Sequence, residues 1–150
     1  MTSILFQDRR VAPAVLFLYS SLMTREEFEK LVAEEFPEAI PEKFRNRVTN
    51  VAFLVEDEPS PELRAEECLG PHETLLGHYR GIPHTVRGGS YGVGNTLPDT
   101  ITLFRLPIEE LAQEEGSIRK VIRETIWHEV AHHFGMDEHE VQAREAKRDK

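Results

Sequence analysis

His128-Glu129-Val130-Ala131-His132 is the stretch around which this chain is organised. Two histidines four residues apart on a helix project from the same face, so both imidazoles can bind one metal ion. The intervening Glu129 can then reach a water molecule at that metal. The spacing therefore predicts a zinc site, with His128 and His132 as ligands and Glu129 as a catalytic residue that does not bind the metal.

The sequence around this motif predicts one long helix that begins near Ser117. Its first half is amphipathic, whereas apolar residues surround the helix from Thr125 onward, which indicates burial on nearly every side. The alternative is an ordinary helix in which two histidines and a glutamate have this spacing by chance. Burial favours the metal site, because buried imidazoles need polar partners and a metal supplies one to both. His133 points away from the other two histidines and is predicted to be a hydrogen-bonded core residue.

A third ligand is expected soon after the helix. Gly135 can end the helix and turn the chain back towards the metal, since glycine adopts the left-handed conformation at little cost. The candidates are Glu138, His139 and Asp137, in that order. Asp137 ranks last because Asp137 and Glu140 form a potential capping box, which would occupy the Asp137 carboxylate with backbone N–H groups.

The run His128 to Glu138, HEVAHHFGMDE, resembles the small bacterial zincin-like metallopeptidase family. Members of that family carry HExxHHxG and a nearby acidic residue at the end of a short α+β domain. Residues 75–83 and 97–105 also resemble segments that precede the active-site helix in the family. The resemblance implies Zn²⁺ as cofactor, a peptide or protein substrate, and Glu138 as the acidic ligand, where the family more often has aspartate.

Length and composition restrict the possible classes of protein. With 150 residues and 39% hydrophobic content, the chain can build one core, which we assign to residues 23–150. The net charge of −9 argues against nucleic acid as the main partner. The single cysteine, Cys68, excludes an internal disulfide and is compatible with a reducing compartment, so a cytoplasmic location is predicted. Residues 1–22 are treated as an extension of uncertain structure, whose apolar run is too short to span a membrane.

The predicted fold class is α+β, with a short mixed sheet packed against the active-site helix. Strands are expected at 51–55, 75–80 and 100–106, and Pro107 is expected to open a short helix. A capping box formed by Thr24 and Glu27 predicts an earlier helix, which Pro37 should end. By resemblance to zincins, the strand 100–106 is expected to lie beside the active-site helix and to offer its edge to an extended peptide.

The sequence thus predicts a zinc-dependent peptidase in which Glu129 is the general base. The alternative is a non-catalytic, zinc-stabilised binding module, in which a fourth protein ligand, with His139 the nearest candidate, closes the coordination sphere. A metal hydrolase that acts on a non-peptide substrate is a third possibility. The glycine-dense stretch 88–95 is interpreted as a surface loop, with a mobile flap that carries Tyr91 as the alternative. The oligomeric state is not predicted.

Overall fold

Three short strands form the sheet of the domain. The computed structural model describes residues 23–89, 91 and 96–148; the predicted extension, residues 1–22, lies outside this range. The strands are β1 (Val51–Glu56), β2 (Gly77–Arg80) and β3 (Asp99–Phe104), in the order β1-β3-β2. The central strand β3 is parallel to β1 and antiparallel to β2. The mixed sheet agrees with the predicted α+β class.

The helices lie before, between and after the strands. They are α1 (Arg25–Ala39), α2 (Glu42–Arg45), α3 (Pro61–Glu66), α4 (Arg105–Glu115), α5 (Ile118–His133) and α6 (Glu138–Arg148), and a 3₁₀ turn spans His84–Val86. The longest helix, α5, begins at the predicted Ser117, whose side chain accepts a hydrogen bond from the Lys120 N–H. Every residue from Thr125 to His133 is buried, as the apolar pattern predicted.

The core lies where α1 and the sheet meet α5. Phe28 from α1, Ile101 from β3 and Ile126 from α5 are fully buried. Burying one side chain of this size contributes about 1.5–3 kcal/mol, so these contacts fix the active-site helix against the rest of the domain. An ion pair adds to them, because the buried Glu35 carboxylate of α1 accepts a hydrogen bond from Arg123 of α5 at 2.6 Å.

Two proline predictions were wrong in detail. The capping box of Thr24 and Glu27 opens α1 as expected, but Pro37 lies inside α1 and the helix continues to Ala39. Ala39 is fully buried, so packing stabilises the last turn despite the hydrogen bond that proline removes. Similarly, α4 begins at Arg105, with Pro107 in its first turn, where backbone N–H groups have no intrahelical partner in any case.

The prediction that the strand 100–106 offers its edge to a peptide substrate was also wrong. The strand predicted at 100–106 is β3, which is paired on both sides, so it has no free edge to offer. Within the described residues, β2 is instead an edge strand of the sheet, and it lies against α5. Sequence spacing alone does not report the order of strands, because that order depends on contacts between distant segments.

Candidate metal centre and active site

His128 and His132 lie one turn apart on α5, with their ring centroids 4.9 Å from each other. Both side chains are buried, and both have their Nδ1 atom occupied. His128 Nδ1 lies 3.1 Å from a carboxylate oxygen of Glu145, and His132 Nδ1 lies 2.9 Å from the carbonyl oxygen of Met136. Since each acceptor fixes the proton on Nδ1, each Nε2 keeps a lone pair for a ligand.

The turn after α5 brings the chain back to these two nitrogens. Gly135 has a φ of 86°, and its N–H bonds to the His132 carbonyl at 2.8 Å. Met136 N–H bonds to the Ala131 carbonyl at 3.1 Å, which completes a Schellman motif. A glycine is needed here because left-handed backbone is costly for a residue with a Cβ. The predicted role of Gly135 as the stop of α5 is confirmed.

Glu138, the first residue of α6, points at both histidines. Its Oε2 atom lies 3.2 Å from Nε2 of His128 and 3.5 Å from Nε2 of His132. The predicted capping box is present, since Asp137 accepts from the Glu140 N–H at 2.9 Å and the Asp137 N–H bonds to Glu140 at 3.1 Å. Of the three candidates for a third ligand, the structure therefore brings only Glu138 to the histidine pair within the described residues.

The spacing of these three donor atoms fits a zinc ion. Tetrahedral ligands about 2.0–2.1 Å from a zinc ion lie about 3.3 Å from each other. The Glu138 carboxylate oxygen lies 3.2 and 3.5 Å from the two imidazole nitrogens. Two histidines and one carboxylate are also a donor set of catalytic zinc sites, which keep their fourth position for water or substrate. Chemistry and geometry thus agree that the residues present can hold the ion.

Electrostatics at the histidine pair favour a cation. Burial by itself would lower the pKa of His128, but the hydrogen bond to Glu145 and the negative charges of Glu129 and Glu138 raise it above its usual value. Burial lowers the pKa of His132, so this imidazole is neutral at neutral pH and free to act as a ligand. The same carboxylates that stabilise a protonated His128 would stabilise a metal ion.

Glu129 is fully buried between α5 and the edge strand β2. A Cβ atom on Gly77 of β2 would lie 2.9 Å from Cγ of Glu129 and 2.9 Å from Cγ2 of Thr125. Only a glycine therefore allows β2 to pass this close to the motif helix. Glu129 follows His128 directly on α5 and is not one of the three clustered donors.

Asp99 forms a second polar centre, on the side of α5 that carries His133. Its carboxylate accepts hydrogen bonds from the Tyr79 hydroxyl at 2.7 Å, Arg87 at 2.6 Å, His133 Nδ1 at 3.0 Å and the Ile82 N–H at 3.1 Å. Burial lowers the pKa of His133 to about 4, so its ring is neutral. His133 is thus a hydrogen-bonded core residue, as predicted, and the network locks the C-terminal turn of α5.

A cavity of about 590 Å³ opens beside His128 and Glu138. Its lining combines apolar side chains with charged ones, among them Leu76, Val121, Thr125, His128, Glu138 and Glu145. A cleft of this size suits part of an extended peptide. Tyr91 does not line this cavity in the described part of the chain; its hydroxyl lies 3.1 Å from the Asn50 amide.

Sequence reasoning missed Glu145 and Asp99. Glu145 could have been found, because it follows Glu138 by seven residues and so shares its face on a helix. Asp99 has no such signal, since its partners come from two stretches that are distant from it in sequence, residues 79–87 and the end of α5.

A helix that carries His-Glu-x-x-His beneath a short mixed sheet, followed by a carboxylate from the next helix, is the arrangement of a zincin-type domain. The family model of zincin-like metallopeptidases matches residues 48–148 of the 150-residue chain. The match covers more than half of the sequence, and the chain belongs to this family. Membership indicates a metal-dependent peptidase, usually a zinc enzyme, with a peptide or protein as substrate.

No curated protein matches the chain. Among the described residues, no helix has both the length and the apolar character that crossing a membrane requires.

Proposed function

We propose that this protein hydrolyses a peptide bond with Zn²⁺ held by His128, His132 and Glu138. The observation that carries the proposal is the convergence of two buried Nε2 atoms on one carboxylate oxygen, at 3.2 and 3.5 Å, next to the buried Glu129. When bound in such an open site, zinc lowers the pKa of water and polarises a carbonyl group.

Glu129 is the proposed general base. Its carboxylate takes the proton of the attacking water and passes it to the nitrogen of the leaving amine. Two features support this role: the side chain is held in place by the close approach of Gly77, and it is not needed for the three-donor cluster. Burial keeps bulk water away from the group, so the carboxylate acts on the water in the site.

The edge of β2 that has no strand partner among the described residues is the proposed binding surface for the substrate backbone. An extended peptide can add to an edge strand through main-chain hydrogen bonds, which bind without selecting particular side chains. β2 lies directly over Glu129, and Leu76, just before it, lines the cavity beside His128. A peptide bound along this edge would therefore run past the proposed base.

The alternative of a zinc-stabilised binding module would need a fourth protein ligand, since structural zinc sites are fully ligated by protein. His139 was the nearest candidate, but it is not among the clustered donors of the described residues. A cluster of three donors beside an open cavity favours catalysis. A cytoplasmic location remains part of the proposal and rests on the single cysteine.

The decisive variant is Glu129→Gln, which keeps size and shape and removes the base. Zinc content, measured by plasma mass spectrometry, is expected to equal that of wild type, whereas peptide hydrolysis should fall about 10²–10⁴-fold. Glu110→Gln, an exposed glutamate on α4, is the matched control and should keep full activity. Turnover retained by Glu129→Gln would refute the assigned role.

The ligand assignment has its own test. Zinc content is expected to fall in His132→Ala and in Glu138→Ala, and to be unchanged in His139→Ala. Loss of zinc in His139→Ala, with retention in Glu138→Ala, would replace the proposed ligand set by the alternative one.

A further inference from the structure

One face of α6 carries three polar side chains that contact the histidine pair directly or through one another. Glu138, Gln142 and Glu145 are separated by four and three residues, so they stack along one side of the helix. Each makes a hydrogen-bond contact with the histidine pair or with a residue that faces it. Glu138 Oε2 faces both histidines, Gln142 donates from Nε2 to Glu138 Oε1 at 3.0 Å, and Glu145 lies 3.1 Å from His128 Nδ1.

These contacts leave one atom of each proposed ligand free to point at the metal. His128 has Nδ1 occupied by Glu145, so Nε2 is the available nitrogen. Glu138 has Oε1 occupied by the Gln142 amide, so Oε2 is the available oxygen. The Met136 carbonyl does the same for His132, through a backbone atom that no side-chain substitution removes.

Apolar packing does little to hold α6 in this position. Val141 is the one fully buried apolar residue of the helix in the described part of the chain. Burial of one valine contributes about 1.5–3 kcal/mol, and one apolar contact does not by itself fix the rotation of a helix. The Gly135 turn and the capping box place the start of α6, and the polar contacts of this face hold it against the histidine pair.

We propose that Gln142 and Glu145 are positioning residues for the zinc site. Glu145 holds the proton of His128 on Nδ1 and fixes the rotation of the ring. Gln142 holds Glu138 so that a single oxygen faces the ion. This inference rests on the proposed function only through the metal ligands, and it assigns a role to two residues that need not touch the ion or the substrate. Partners of this kind typically change metal affinity 10–100-fold when they are removed.

The test compares zinc affinity in the 150-residue chain, measured by competition with a chromophoric chelator. The variants are Glu145→Ala, Glu145→Gln and Gln142→Ala, and the controls are Glu110→Ala and Gln113→Ala, which are exposed positions on α4. We expect Glu145→Ala to raise the Kd for zinc 10–100-fold and Gln142→Ala about tenfold. Glu145→Gln should recover part of the loss, because an amide oxygen can still accept from Nδ1–H. The controls should lie within about twofold of wild type, as surface substitutions usually do.

Two further readouts separate positioning from general stability. Thermal unfolding of the metal-free protein should be the same for wild type and Gln142→Ala, while the stabilisation by added zinc should be smaller in the variant. In protein loaded with Co²⁺, the visible absorption bands should shift in Glu145→Ala and not in Glu110→Ala, since these bands report the geometry of the ligands.

The outcomes distinguish this inference from the proposed function. Wild-type protein that binds no zinc would overturn both. Wild-type protein that binds zinc, with Glu145→Ala and Gln142→Ala no weaker than their controls, would overturn the positioning roles alone. The role of Glu145 would also be overturned if the loss of zinc affinity in both Glu145 variants were fully explained by a lower stability of the metal-free protein.

Discussion

Asp99→Asn is expected to destabilise the fold by about 3–5 kcal/mol, because the substitution leaves a buried guanidinium without its counter-charge. The Asp99 carboxylate is 3% exposed and accepts from Arg87 at 2.6 Å, and the Arg87 side chain is itself only 8% exposed. Tyr79 and His133 donate to the same oxygen. The other oxygen accepts from the Ile82 N–H at 3.1 Å. An asparagine places an NH₂ group where one of these two oxygens stands, so donors on that side lose their acceptor.

The size of this effect would be a large fraction of the total stability, which is about 5–15 kcal/mol for a domain of this kind. Urea unfolding of the metal-free protein, with chelator present, measures it without a contribution from bound zinc. Asp57→Asn is the matched control. Asp57 also pairs with an arginine, Arg105 at 3.0 Å, but it is 56% exposed, so its loss should cost only about 0–1 kcal/mol.

Equal losses of stability in Asp99→Asn and Asp57→Asn would refute the reasoning, since the prediction depends on the burial of Asp99 and on its several donors, and Asp57 is exposed and pairs with one arginine. A pH series gives a second check. Burial would raise the pKa of Asp99, but hydrogen bonds from Tyr79, Ile82, Arg87 and His133 lower it below its ordinary value of 3.8. A carboxyl group whose pKa is lower in the folded than in the unfolded state stabilises the protein at pH values above its unfolded-state pKa, and this stabilisation is lost as the pH falls. The difference in free energy of unfolding between wild type and Asp99→Asn should therefore be largest at pH 7 and should decrease below about pH 3.8.

Two glycine substitutions test the geometry around the site. Gly77→Ala should reduce peptide hydrolysis with zinc retained, because the new Cβ would lie 2.9 Å from Cγ of Glu129; Gly89→Ala, which meets no described atom within 4 Å, should have full activity. Equal activity of the two variants would contradict the close approach of β2. Gly135→Ala should lower the urea midpoint more than Gly116→Ala. Both have positive φ, which costs an alanine about 1–2 kcal/mol, but only at Gly135 would the Cβ also collide with a threonine side chain, at 2.3 Å. A larger drop of the urea midpoint in Gly116→Ala would show that the cost of the positive φ outweighs the collision with the threonine side chain.

Much of the candidate site could be predicted from the sequence because its parts are local. Histidines four residues apart share a face on any α-helix, whatever the rest of the fold is. The glycine stop at Gly135 and the capping box of Asp137 and Glu140 depend on residues within one turn of each other, and both are present. These two local features aim Glu138 back at the histidine pair.

The predictions that were wrong concern features that depend on packing between distant segments. Pro37 reads as a helix end, yet α1 continues to the buried Ala39, because tertiary burial outweighs a local preference. The substrate edge was assigned to the wrong strand for the same kind of reason. Strand order results from which surfaces meet, and β3 lies between its two neighbours rather than at the edge.

By itself, the sequence determined the motif helix, its turn, the histidine pair, a ranked set of candidates for the third ligand and the α+β class. Only the tertiary structure decided that β2 covers Glu129, that Asp99 anchors His133, and that Glu145 holds His128. The physical reason is the range of the interactions involved. Backbone hydrogen bonds and helical periodicity act over a few residues and can be read along the chain. Buried carboxylates find their partners across tens of residues, from Tyr79 to His133, once the core has brought those segments together.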